Sequence, residues 1–330
     1  MRILAAPDKF RGTATAAEVA SAVAAAGRRK GRARTAEVPL SDGGEGFLDV
    51  FGGANRTSTV TGPLGDPVEA GWRLAERTAV IEMARASGLA LVGGAEGNDP
   101  VAASTAGTGE LIVEALDAGA RRIIVGHGGS ASTDGGLAAL RALFPLPRLR
   151  GIELVAAVDV HTRFVDAAQV FGPQKGATPN QVALLARRLE RLAQVYADDY
   201  GVDVTHLAGS GAAGGLAGGL AVAGASIEVG FDLITDELDL ATQVEDADLV
   251  VTGEGFVDEA SFDGKVVGGV VALAREFAVP VLVVAGEVFD AVGDRAETVS
   301  LVERFGRERA MVDTTSCITE VVSAYLAGHG

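Results

Sequence analysis

Short apolar runs alternate along this chain with longer stretches whose apolar residues recur every three or four positions. The runs are Ile3–Ala6, Ala36–Leu40, Thr78–Met83, Arg122–Gly126, Glu153–Val158, Leu249–Val251, Val281–Ala285 and Thr298–Val302. Apolar runs of this length, flanked by helical patterns, read as buried parallel strands. The helical pattern predicts helices from Ala16 to about Ala26, over Gly107–Ala118, Leu137–Leu143 and Val266–Phe277, and over Cys317–Leu326. Thr15 and Glu18 form a capping box for the first of them, and Gly27 is expected to stop it. Thr178-Pro179-Asn180-Gln181 supplies an N-cap, a proline at the first helical position and a reciprocal glutamine. Val182, Leu185, Leu189, Leu192 and Tyr196 then follow on one face, which reads as core packing. Thr57–Thr61 and Val68–Leu74 flank Gly-Pro-Leu-Gly-Asp-Pro and predict a hairpin. Alternation of this kind means an α/β fold, and the central hairpin region suggests a second domain inserted into the first.

Composition narrows the class. At 330 residues the chain suits one large or two medium domains. It is 48% hydrophobic and 22% charged, enough to bury a core. The net charge of −16 argues against nucleic acid and anionic membrane surfaces as partners. A single cysteine, Cys317, excludes a disulfide framework and suits a reducing compartment. The opening residues are too poor in apolar content for a signal peptide, and no apolar stretch reaches membrane-spanning length. A soluble, cytoplasmic protein is expected.

Three segments place carboxylates among glycines just after apolar runs: Asp42-Gly43-Gly44-Glu45-Gly46, Thr133-Asp134-Gly135-Gly136 and Thr252-Gly253-Glu254-Gly255. All three read as turns. In open α/β sheets ligands bind beyond the carboxyl ends of the strands. Glycine there lets backbone approach a ligand, while a carboxylate can hold Mg²⁺ or accept a proton. The chain has only four lysines against many arginines, and Lys9, Lys175 and Lys265 lie in or beside loop motifs. Lys30 lies in a solvated basic run.

Other motifs fit less well. Gly209-Ser-Gly211-Ala-Ala-Gly214 matches the dinucleotide pattern, but the preceding segment is polar and the next acid, Glu228, comes too early. Amides at a helix start that cradle phosphate, or close helix packing, are the two readings left open there. Gly264-Lys265 ends like a Walker A motif, but Val266 stands where Ser or Thr is needed. His127, His161, His206 and His329 have no obvious Ser or Cys partner, and no Cys/His metal spacing occurs.

Taken in order, the motifs identify a relationship. Ala6-Pro7-Asp8-x-Phe10-x-Gly12, Ser41-Asp42-Gly43-Gly44-Glu45-Gly46, Thr61-Gly62-Pro63-Leu64-Gly65, Gly107-Thr108-Gly109-Glu110-Leu111-Ile112, Gly128-Gly129-Ser130-Ala131, Phe171 to Thr178, Gly211 to Leu216 and Thr252-Gly253-Glu254-Gly255 together resemble the bacterial glycerate kinase family, the two-domain type that makes 2-phosphoglycerate. The resemblance implies a flavodoxin-like parallel-sheet domain formed by both chain ends, 1–57 with 237–330, and an inserted α/β domain, 58–236. It implies ATP with Mg²⁺ as cofactors and a small hydroxy acid as substrate. The chain also departs from the family pattern. A few tens of residues usually present before Glu153–Val158 are missing, His161-Thr162-Arg163-Phe164 stands for Asp-Asn-Pro-Leu, Phe256 stands for an arginine, and Ala260-Ser261 for Gln-Thr.

Residue roles follow from this resemblance as expectations. Asp42, Asp159 and Lys175 are the catalytic candidates, either aspartate serving as base and the lysine neutralising the transferred group. Asp8, Lys9, Arg11, Gly129 and Ser130 are expected to bind the acceptor. Gly211, Gly214, Gly215 and Lys265 are expected at the ATP phosphates, and Glu45, Glu254 and Asp258 at Mg²⁺. A homodimer is left open. Two rivals remain: a paralogue that binds nucleotide or acid without turnover, and an NAD-dependent oxidoreductase using Gly209–Gly214.

Overall fold

A computed structural model describes residues 1–10, 12–29, 33–262, 265–289 and 295–328. Among them eleven strands form two sheets. The strands are β1 Arg2–Ala5, β2 Arg34–Glu37, β3 Arg56–Thr61, β4 Pro67–Ala75, β5 Thr78–Glu82, β6 Arg122–Gly126, β7 Glu153–Val158, β8 Ser226–Val229, β9 Leu249–Val257, β10 Val281–Val288 and β11 Glu297–Ser300. The chain divides into two compact units, Met1–Asp42 with Phe231–Gly330, and Gly43–Gly230.

The first unit is a five-stranded sheet in the order β2-β1-β9-β10-β11, every pair parallel. That is the flavodoxin-like order, with a switch point beside β1. Parallel sheets need cover on both faces. The helices Ala16–Arg29 and Thr314–Gly328 cover one face with Val19, Val23, Ile318 and Val322. Val267 and Val271 of the helix Val266–Glu276 cover the other. Strand residues Leu4, Val250 and Val283 are at most 1% exposed; each such aliphatic side chain contributes roughly 1.5–3 kcal/mol on burial.

The second unit is a six-stranded sheet, β3-β4-β5-β6-β7-β8. β3, β4 and β5 pair antiparallel, and β5 to β8 pair parallel. The expected hairpin is present, closed by the Gly62 amide on the Asp66 carbonyl at 2.8 Å. The helix Pro179–Tyr200 carries the expected Thr178/Gln181 capping box. Its Leu185, Leu189 and Tyr196 close over Phe164 in a separate core.

Five local readings change. The strand expected at Ala36–Leu40 runs over Arg34–Glu37, where it pairs with Arg2–Ala5, and none of its four residues is fully buried. The first helix runs through Gly27 to Arg29; the glycine is buried, and a Cβ there would stand 2.7 Å from Thr35 Oγ1. Its role is close packing, not helix termination. Thr252-Gly253-Glu254-Gly255 is no turn: β9 continues to Val257, paired with β10 as far as Val288. Gly253 permits this, since a Cβ there would lie 1.9 Å from the Val284 carbonyl. The run at Thr298–Val302 is strand only to Ser300, whose hydroxyl caps the helix Leu301–Phe305. The short helix Phe47–Val50 belongs to the second unit, where the Phe47 ring packs against Gly126.

Candidate active site

In the first unit, the carboxyl edge of the sheet carries Asp8 after β1, Asp42 beyond β2, and Glu254 near the end of β9. Asp8 is buried and accepts the Lys9 amide on Oδ1 at 2.6 Å. The Lys9 ammonium lies 3.7 Å from Asp8 Oδ1 and 4.0 Å from Asp42 Oδ1. Glu254 is half-buried, with an Oε1 that has no partner among the described residues. Burial raises its pKa to about 7, with the charges of Asp8 and Asp42 adding to the effect while the Ser261 hydroxyl and Lys265 oppose it. Lys265 stands just before the helix Val266–Glu276. Asp258 is spent locally: its Oδ1 takes the Ser261 amide at 2.8 Å and hydroxyl at 3.0 Å. Phe256 is exposed and stacks on Phe289 at 5.6 Å between centroids. Arg11 lies outside the described residues.

In the second unit, β6 ends at Gly126 and the loop His127-Gly128-Gly129-Ser130 follows. Gly128 lies against Gly44, where a Cβ would approach its Cα to 2.4 Å. Glu45 is exposed beside that contact, and Asp159 is exposed after β7. Gly129 is exposed in a left-handed conformation at φ +62°, while Ser130 is buried. Lys175 is buried and donates to Ser130 Oγ at 2.7 Å and to the Ser132 carbonyl at 2.6 Å. Burial pulls its pKa down to about 7, partly offset by the negative charge of Asp134. Asp134 accepts the Thr105 amide at 3.0 Å, the Thr105 hydroxyl at 2.8 Å and the Gly136 amide at 3.1 Å. It holds the loop together.

Gly211, Gly214 and Gly215 are buried at the start of the helix Ala212–Val222. A Cβ on Gly214 would stand 2.1 Å from the Ser132 carbonyl, and one on Gly215 2.9 Å from the Phe164 ring. The Gly211 amide donates to Thr162 O, and that of Gly215 to Gly211 O. Close packing thus accounts for these glycines. The segment before them forms a 3-10 turn, Val204–His206, where a dinucleotide fingerprint needs a buried strand.

Mg²⁺ takes oxygen ligands and is commonly held by one or two carboxylates with substrate phosphates and waters. No group of three or more His, Cys, Asp or Glu side chains among the described residues could hold a metal by itself. Glu254, with its unpartnered Oε1, suits the sparser arrangement. Glu45 belongs to the other unit.

Sequence reading missed two residues. Buried Glu82 at the end of β5 accepts the Leu48 amide at 3.2 Å and lies 3.8 Å from Arg85, holding the segment after Glu45. An acid ending an apolar strand was the available signal. Asn98, which bridges Ala131 and Lys175, has no local signal at all.

The model of the glycerate kinase family matches residues 3–144 and 145–324. Glycerate 2-kinase of Escherichia coli K12 is 38% identical, with 89% of this chain and 87% of that protein covered. Glycerate kinase of Haemophilus influenzae is also 38% identical, covering 89% of each. A crystal structure assigned as glycerate kinase 2 of Salmonella typhimurium LT2 superposes with a TM-score of 0.81 at 35% identity, covering 100% of this chain and 99% of that one. With matched motifs spread over both units, the chain belongs to the glycerate kinase family.

Proposed function

We propose that this protein phosphorylates glycerate to 2-phosphoglycerate with ATP and Mg²⁺. The observation that carries the reading is the grouping of Asp8, Lys9, Asp42 and Glu254 at the carboxyl edge of the first sheet, in a chain so similar to glycerate kinases. Phosphoryl transfer asks a protein for positioning and charge stabilisation. Asp42 takes the proton of the glycerate 2-hydroxyl, whose oxygen bonds to the γ-phosphorus as the bond to the ADP oxygen breaks. Asp159 is the competing base. Glu254, whose Oε1 has no partner among the described residues, would hold Mg²⁺, which neutralises phosphate charge when bound. Lys265, at the start of an eleven-residue helix, suits a phosphate. Asp8, Lys9, Arg11, Gly129 and Ser130 are the groups assigned to the acceptor acid.

Among the described residues no helix is long and apolar enough to cross a membrane; a cytoplasmic location belongs to this proposal. A coupled ADP-release assay over small hydroxy acids, glycerate first, tests the function. Nucleotide binding without ADP release would favour the inactive paralogue.

A further inference from the structure

The loop carrying Ser130 is held from two sides within the second unit. On one side the Ala131 amide donates to Ser87 O at 3.0 Å and the Leu89 amide to Gly129 O at 2.8 Å. On the other, Lys175 donates to Ser130 Oγ and Ser132 O. Asn98 completes that side: Nδ2 donates to Ala131 O at 3.1 Å and to Lys175 O at 2.9 Å. Two carbonyl acceptors fix the amide orientation, because the reverse would set oxygen against oxygen. Gly176 brings the strap together at φ +88°, where a Cβ would lie 2.3 Å from Ala95 O. One side chain therefore ties the segment at 98, the loop at 131 and the turn at 175.

Lys175 is only 2% exposed, with its ammonium turned into this network. It meets no ligand surface here and acts through what it holds. An ammonium donating to Ser130 Oγ also leaves the serine proton to point elsewhere.

We propose that Asn98 and Lys175 are positioning residues for the acceptor acid, jointly setting the pose of Gly129 and Ser130. This rests on the assignment of the acceptor to those two residues. Losing the Asn98 bridge leaves two buried carbonyls unpaired and frees the loop.

The test uses the full chain, with Asn98→Ala, the milder Asn98→Ser and Lys175→Met. KM for glycerate rises about tenfold or more while KM for ATP stays within about twofold. Without any substrate, hydrogen exchange at the amides of 129–132 speeds up in Asn98→Ser while that of β6 is unchanged. Equal rises in both KM values, or unchanged glycerate KM with unchanged exchange, overturn the proposal. Should the unaltered protein release no ADP with glycerate, the proposed function fails, and the exchange measurement alone decides whether Asn98 holds the loop.

Discussion

The buried imidazole of His127 donates from Nδ1 to the carbonyl of Val125 at 2.8 Å. A carbonyl can only accept, so Nδ1 carries the proton. Burial lowers the imidazole pKa from 6.5 to about 4. The unfolded chain takes up a proton below pH 6.5, and the folded chain only near pH 4. Stability is therefore lost as pH falls from 6.5 through 4, on the order of 3 kcal/mol from this residue alone. His127→Asn, compared by urea unfolding from pH 7 to 4, should show a flatter pH dependence. An unchanged slope would contradict the assignment.

Glu254 works in the opposite sense. Its folded pKa of about 7 lies above the 4.5 of a freely exposed glutamate, so the folded chain keeps a proton that the unfolded chain has released. The charged form is what burial opposes, so stability falls as pH rises from 4.5 through about 7. Glu254→Gln should be more stable than the unaltered protein at pH 8 and nearly equal at pH 4. It should also raise the Mg²⁺ concentration needed for half-maximal turnover. A variant destabilised at pH 8 would show that the carboxylate has partners that favour its charged form.

Asp42 and Asp159 can be separated by their asparagine variants. Asp42→Asn should lower kcat by at least about tenfold with an unchanged melting temperature. Asp159→Asn should do less. The reverse ranking moves the base to Asp159.

Gly214 has a backbone at φ +70° and no room for a side chain. Gly214→Ala should cost about 3 kcal/mol or more. Gly224, at φ +98° with open space around it, is the control, and its alanine variant should cost about 1–2 kcal/mol. Denaturant unfolding of the two variants checks the difference.

Local signals made much of this fold legible. Most of the apolar strands, the hairpin around Gly62-Pro63 and the Thr178 capping box depend on neighbours in sequence and are present, with the runs at Ala36–Leu40 and Thr298–Val302 only partly strand. Long-range contacts hid the rest. Gly27 looks like a helix stop because a terminating glycine and a packing glycine are the same residue; only Thr35 distinguishes them. Gly253-Glu254-Gly255 looks like a turn until β10 brings Val284 alongside. Lys175 stood out as a rare lysine, but its burial depends on Ser130 and Ser132, over forty positions away. Asn98 sits in Glu-Gly-Asn-Asp-Pro, a segment that any exposed loop could carry.

Transfer of the γ-phosphoryl group of ATP to the 2-hydroxyl of glycerate would leave a secondary phosphate ester. Purified protein with Mg-ATP and glycerate, followed by ³¹P NMR, reads that product out. A secondary phosphate-ester signal matching 2-phosphoglycerate should grow in, equal in amount to the ADP formed and abolished by omitting Mg²⁺. Absence of any phosphorylated glycerate, with ATP intact, would contradict it.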